Sequence, residues 1–372
     1  MNDLFYQLIR VSIGTQVCLS RIPTEREWDK LYDMAKIQSL IGVCFVGLNR
    51  LGANADEGFA NIRMNEMQYF NWMGMAALIQ KRNEVVNRQC AELQMKLSAN
   101  GLRSCILKGQ GVGSLYKLNN NEGLNLSLYR QSGDIDMLVD CDLKRAAKFA
   151  YSVTGKQSPW AYKDIRLELF DDTEVELHIK PGLMFNPFHN RRWQKWYEYN
   201  KNIIFLPIQN DSISIPSIDF NLVYILQHCY MHLFESGVGL RQLMDYYFVL
   251  CNNVVNEFMR QQFKRIISKL GMMRFTRGVM WIMKEVFWLP EDFLLCEPDA
   301  KEGRYLLNEI MQSGNFGKYD NRFNRSSATK IVQLKLFLKR SLHLVENYPQ
   351  EALWMPWYFV WHSILKLWNR LL

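Results

Sequence analysis

The sequence has no run of about 18 uncharged apolar residues, the length a helix needs to cross a bilayer, so no transmembrane segment is expected. Its opening residues, MNDLFYQLIRVSIG, carry an early acid and no basic stretch ahead of a long apolar core, so no signal peptide is expected either. Low-complexity tracts are missing, which argues against a disordered chain. The eight cysteines (Cys18, Cys44, Cys90, Cys105, Cys141, Cys229, Cys251, Cys296) form no C-x-x-C pair and no cysteine/histidine spacing suited to zinc. Several sit inside apolar runs and read as reduced, buried thiols, as expected of a cytoplasmic protein. His228 and His232 are four apart on one helical face, but there is no glutamate in the HExxH position and no evident third ligand, which argues against zinc.

What is present points to a globular protein. At 372 residues, 48% hydrophobic and 13% aromatic, the chain is long enough for two or three pieces around a sizeable core. Its 45 Lys and Arg exceed its 37 Asp and Glu, and the formal net charge of +8 suits anionic ligands and equally serves solubility.

The chain is organised around residues 106 to 140, ILKGQGVGSLYKLNNNEGLNLSLYRQSGDIDMLVD. A glycine-rich turn follows one apolar run, and a D-x-D pair lies in a second. In a strand, Asp134 and Asp136 project to one side about 6.5 Å apart along the backbone. Two carboxylates sharing a small volume repel unless a cation joins them, and a hard divalent ion with oxygen ligands suits the space. The alternative is a turn cap at Asp134 and a solvated Asp136. Gly109, Gly111 and Gly113 would let backbone amides approach a phosphate, or form a plain strand-to-helix turn.

Residues 1 to 100 read as helices. Thr24 with Glu27 makes a capping box ahead of Trp28, Leu31, Ala35 and Leu40, with Gly52 past the end of that helix. A long helical pattern from about 59 to 99 follows, with Met67, Phe70, Met73 and Leu78 expected in the core. Arg103 to Leu107 reads as a strand, 110 to 118 as a short helix, and 119 to 133 as an Asn-rich loop ending near Arg130. Arg130 would either reach a triphosphate or make an ordinary ion pair, one of the motif's aspartates being a candidate partner. A helix from Asp142 to about 154 precedes two alternating strands, Asp164 to Phe170 and Thr173 to Lys180, in a hairpin around Asp171 and Asp172. Glu176 lies mid-strand and is preferred over Glu168 and Glu174 as a third carboxylate. His178 shares its face, as a group orienting a carboxylate or phosphate or as a structural histidine.

Residues 186 to 200 interleave Arg191, Arg192 and Lys195 with Trp193, Trp196, Tyr197 and Tyr199. Nucleic acid would use such a mix, and so would a helix packing its aromatics inward, the reading preferred here. The 219 to 234 helix is apolar nearly all round and should be buried. The C-terminal run 351 to 372 is rich in tryptophan, with Lys366 and Arg370 near its end. Docking of the tryptophans into the helical domain is expected, with peripheral membrane contact the alternative.

The order of these features resembles the DNA polymerase β-like nucleotidyltransferase superfamily. Leu107-Lys108-Gly109, Leu115-Tyr116, Arg130, Gly133 to Val139 and Val175 to His178 are similar to the bacterial uncharacterised nucleotidyltransferase family within it. The likeness continues through LVYILQHCYMHLF at 222 to 234 and LRQLMDYYFVL at 240 to 250. The resemblance implies that Asp134, Asp136 and Glu176 hold Mg²⁺ or Mn²⁺. It places Gly109 in the phosphate turn beside Lys108 and Gln110, Arg130 and His178 toward the nucleotide, and His232, Arg241 and Asp245 toward the substrate side. Gln110 stands where many members have serine, and the gap to Asp134 is longer than usual.

The expected fold is α+β: a small mixed β-sheet nucleotidyltransferase core (101–215) between an N-terminal helical region (1–100) and a C-terminal helical domain (216–372). The expected reaction moves a nucleoside monophosphate from a nucleoside triphosphate, with ATP the first to consider, to a hydroxyl on a small molecule, a protein or an RNA end. A catalytically silent nucleotide- or polyanion-binding module is the alternative.

Overall fold

The computed structural model describes residues 1–53, 62–117, 125–158, 162–204, 213–253, 255–323 and 330–371. Four helices lead in: α1 (Asn2–Ile13), α2 (Glu25–Ile37), α3 (Ile41–Ala53) and α4 (Glu66–Ala99). Glu27 accepts a hydrogen bond from the Thr24 N–H at 2.9 Å, closing the expected capping box, and Trp28, Leu31 and Ala35 are buried behind it. The expected single helix is two, because Ser39 takes a positive φ of 55° and breaks the chain, which leaves Gly52 inside α3 rather than past an end.

The long helix α4 runs between two cores. Trp72, Ala76 and Ile79 enter the larger core, whereas Val86, Cys90, Leu93 and Leu97 lie beneath the sheet. This stripe recurs every three or four residues and is the buried face of α4. Met67, Phe70, Met73 and Leu78, expected in the core, sit off the stripe and are exposed, Met67 at 70% and Leu78 at 61%. Hydrophobicity alone selected the wrong face.

The mixed segment is β1 (Ser104–Ile106), α5 (Gln110–Gly113), β2 (Ile135–Val139), α6 (Leu143–Thr154), β3 (Asp164–Leu167) and β4 (Val175–His178). Residues 118–124, the end of the expected short helix and the first part of the expected Asn-rich loop, lie outside the described residues. The strands form one sheet in the order β1-β2-β4-β3, with β1/β2 and β3/β4 antiparallel and β2/β4 parallel. Alternation then divides the side chains. Ile135, Met137, Val139, Val175 and Leu177 pack on the lower core with α4 and α6. Asp136, Glu176 and His178 fall on the opposite face.

The helices that follow are α7 (Pro187–Ile204), α8 (Ile218–Glu235), α9 (Leu240–Cys251), α10 (Glu257–Lys269), α11 (Met273–Phe287), α12 (Ala300–Ser313), α13 (Lys330–Val345), α14 (Pro349–Ala352) and α15 (Met355–Leu371), and of these α8 and α15 stand opposite the charged side chains of that face. As its composition predicts, α8 is buried almost throughout. In α7, Trp193 and Tyr197 turn inward while Arg191, Arg192 and Lys195 stay outside, the inward-packing arrangement. The C-terminal run divides. Met355 is buried and Trp354 and Tyr358 pack on the core, but Trp357 is 68% exposed, so docking takes up only one side of α15. Among the described residues no helix is long and apolar enough to cross a membrane.

Two truncations on α4 test this assignment. Leu93→Ala should lower unfolding free energy by about 2–5 kcal/mol, the usual cost of a buried Leu truncation. Leu78→Ala should stay within about 0.5 kcal/mol. Urea denaturation of both variants distinguishes the faces, and a larger loss at Leu78 would reverse the orientation of α4.

Candidate active site

The parallel register sets Asp136 directly beside Glu176 and Leu138 beside His178. Asp134 stands one residue before β2. The carboxylates therefore gather at the edge of a polar strip on an otherwise apolar sheet. His178 Nε2 lies 2.9 Å from Asp136 Oδ1 and 3.3 Å from Glu176 Oε2, so one imidazole bridges both carboxylates. Lys108 Nζ lies 2.8 Å from Asp136 Oδ2 and 3.6 Å from Asp134 Oδ2. Asp136, only 1% exposed, is thus flanked by two cationic partners.

The protonation preferences follow. Burial alone would raise the Asp136 pKa, but Lys108 and His178 hold it well below the usual carboxylate range. The hydrogen bond from His178 likewise depresses Glu176. Asp134 has only the more distant Lys108 to lower it, and burial with the neighbouring Asp136 charge outweighs that and pushes it up. Asp136, Glu176 and His178 bring one donor atom each within 4.8 Å of one another, the only such group of three among the described residues. With Asp134 alongside, these oxygen-rich donors fit a hard divalent cation.

These side chains open on a cleft of about 290 Å³ between the sheet and α8. Its far wall carries Tyr224, His228, His232 and Glu235. A larger groove of about 500 Å³ between α7, α8 and α10 contains none of the motif residues, so chemistry rather than size selects the cleft. Lys108, Asp134, His228 and Phe316 also line a small recess of about 20 Å³, into which Gly109, Arg130 and Arg241 face. Gly109 has φ 61° and ψ −114°, a conformation that favours glycine, and a Cβ on Gly111 would stand 2.5 Å from the Ile106 carbonyl oxygen. The turn is therefore built tightly against β1.

Not every expected residue reaches the cleft. Gln110 turns away and donates to Asn83 Oδ1 at 3.2 Å and to Asn87. Arg130 is paired, but with Asp245 rather than with a motif aspartate: Nε donates to Oδ1 at 2.6 Å and Nη2 to Oδ2 at 2.7 Å. Tyr116 donates to the same carboxylate at 2.7 Å. This buried fork joins the loop before β2 to α9, leaving Arg130 Nη1 without a hydrogen-bond partner among the described residues. Arg241 donates to the Gln131 carbonyl at 2.6 Å, and burial with the nearby Arg130 charge lowers its pKa to about 10. His232 lies 3.1 Å from Ser236 Oγ, and burial lowers its pKa to about 3. Burial and His232 push His228 down as well.

The family described as uncharacterised nucleotidyltransferases matches the chain over residues 24–288. The chain belongs to this family. Comparison with curated proteins and with solved structures gives no match. The family's span takes in the sheet, the glycine turn, α8 and α9, and hence both walls of the cleft apart from Phe316 and Tyr358. Nucleotidyl transfer is therefore the chemistry against which this nucleotidyltransferase's side chains are read.

Sequence reasoning missed two residues. Lys163 lines the cleft, its Nζ 3.1 Å from Asp164 Oδ2, and Asp164 and Glu235 outweigh the lowering effect of burial on its pKa. Its position just ahead of the strand that pairs with the Glu176 strand was the available signal. Asn83 donates to the carbonyls of Leu128 and Arg130, both at 2.7 Å, and so fixes the Arg130 backbone to α4. A lone asparagine in a helix carries no local sign of that role.

Two outcomes are expected. Asp245→Ala would leave Arg130 buried without its counter-charge and should cost about 3–5 kcal/mol in urea unfolding. A loss below 1 kcal/mol would mean that the fork is dispensable. The second concerns pH. His228 and His232 stay neutral in the folded state, whereas unfolded histidine protonates near pH 6.5, so the unfolded state binds more protons below that value. Stability should fall as pH drops from about 6.5 toward 3, by up to about 1.4 kcal/mol per pH unit for each histidine. Replacing both by asparagine should flatten this part of the thermal unfolding profile, and an unchanged slope would assign the acid sensitivity elsewhere.

Proposed function

We propose that this nucleotidyltransferase is of the DNA polymerase β-like kind and moves a nucleoside monophosphate from a nucleoside triphosphate to a hydroxyl acceptor, with release of pyrophosphate. The single observation that carries this reading is the register of β2 on β4, which seats Asp136 beside Glu176 with Asp134 and His178 on the same cleft wall. Asp134, Asp136 and Glu176 would hold Mg²⁺ or Mn²⁺. A divalent ion there would offset the triphosphate's charge and make the acceptor hydroxyl more acidic.

The chain's own groups account for the rest. Gly109 leaves its backbone open to a phosphate oxygen, and Lys108 and Lys163 supply positive charge on the same cleft. Glu176, the more exposed carboxylate of the Asp136–Glu176 pair, faces the acceptor and takes its proton. The acceptor oxygen attacks the α-phosphorus, the bond to the bridging oxygen breaks in line, and pyrophosphate leaves. Positioning and preset charge supply most of the rate. His178 acts through Asp136 and Glu176, holding both carboxylates in place.

A second reading is favoured by the compensation of Asp136 by Lys108 and His178, which needs no metal: a silent module that binds nucleotides or other polyanions. Calorimetry with a non-hydrolysable ATP analogue separates the two. On the transferase reading, Mg²⁺ tightens binding, and in its presence Asp134→Asn weakens binding about 10-fold or more, a loss of about 1.4 kcal/mol. Asp134 is the better target because it is partly exposed and its replacement leaves the buried pair intact. Should analogues of all four triphosphates bind equally without metal and in the variant, the transferase mechanism falls.

A further inference from the structure

Lys108 immediately precedes Gly109 and so belongs to the turn assigned above to the phosphates. Its ammonium nevertheless points to the carboxylates, 2.8 Å from Asp136 and 3.6 Å from Asp134. The contact is made by an ammonium that turns freely about its stem, and Lys108 is the group that answers the buried Asp136 Oδ2. A group so placed occupies the volume that a cation shared by the two aspartates would need.

We propose that Lys108 serves the carboxylates and the nucleotide in turn: without nucleotide its ammonium is the counter-ion of Asp134 and Asp136 and excludes a divalent cation, and a bound triphosphate draws it away and frees those oxygens. The inference rests on the nucleotidyltransferase reading. Exclusion follows from distance and charge. Mg²⁺ binds carboxylate oxygens at about 2.0–2.1 Å, so an ammonium 2.8 Å from the same oxygen would face a doubly charged neighbour. Release follows from the side chain. Lysine is a compact charge on a flexible four-carbon stem, able to change partners without moving the backbone. A phosphate in the cleft it lines with Gly109 would offer it a new anion, because the other carboxylates on these walls already face cations: Asp245 meets Arg130, Glu176 meets His178, and Glu235 lies near enough to Lys163 to raise its pKa.

The probe is Mn²⁺, followed by electron paramagnetic resonance on the full chain, with and without the non-hydrolysable ATP analogue. Wild type should bind Mn²⁺ weakly alone. Lys108→Met and Lys108→Gln should bind it on the order of 10- to 100-fold more tightly without nucleotide, the ordinary range of coupling between sites. Asp136→Asn added to either variant should remove that gain, and Lys108→Arg, which keeps the charge, should stay near wild type. A neutral variant that melts like wild type but binds Mn²⁺ no better overturns the proposal. If neither neutral variant folds, the Lys108 ammonium resonance in ¹⁵N NMR decides: it should shift when inorganic triphosphate is added without metal, and an unchanged resonance overturns the proposal. Failure of wild type to bind the analogue even with Mn²⁺ would instead remove the nucleotidyltransferase reading itself. Analogue binding with unaltered Mn²⁺ affinity in the variants would remove only the role of Lys108.

Discussion

The constraint on which the site depends is the burial of Asp136. Its donor oxygen lies within 4.8 Å of that of Glu176, and at an effective dielectric of 20 their repulsion is about 3.5 kcal/mol. A folded chain can hold such a pair only by placing positive charge against it. His178, two residues beyond Glu176 on the same face of β4, answers one oxygen of Asp136, and Lys108, delivered by the glycine turn after β1, answers the other. The site is thus a local electrostatic solution before it is a catalytic one, and its assembly requires β1, β2 and β4 to be in register.

That requirement explains the architecture around it. The lower sheet face is sealed by α4 and α6, so the three strands are anchored by apolar side chains that alternate with the charged ones. The upper face is then free to be polar, and α8 supplies a wall whose imidazoles burial keeps neutral. Helix α4 joins the two cores, and Asn83, at the point where its stripe passes from one to the other, pins the backbone of Arg130. Arg130, in the loop that leads into β2, is therefore held twice, by Asn83 at its backbone and by Asp245 at its guanidinium.

The sheet and the carboxylates were legible because period-two alternation and a D-x-D pair are local signals. The capping box at Thr24 and the buried α8 were legible for the same reason. What depended on tertiary choice was not. Met67 and Leu78 are as apolar as the residues α4 buries, and only the position of the sheet decides which stripe faces inward. Arg130 was open between a phosphate and an ion pair, and its partner, Asp245, lies 115 residues away, beyond any local pattern. Gln110 follows the glycine of the turn, yet its amide goes to Asn83 and Asn87. The backbone around Gly109 is specified locally, but the direction of the next side chain is set by α4.

The two buried ion pairs of the cleft differ in kind. Arg130 meets Asp245 through two directed hydrogen bonds from a planar fork, a geometry that specifies one partner and one orientation. Lys108 meets Asp134 and Asp136 as a compact charge on a flexible stem, with one short and one long contact. Removing either charge would leave an uncompensated partner, but only the second pair can be exchanged without rebuilding the wall, because an ammonium keeps its energy wherever it finds an anion. A site that must release one charge and admit another needs both types of contact. The arginine fork holds the frame of the recess while the lysine beside Gly109 is free to follow the ligand.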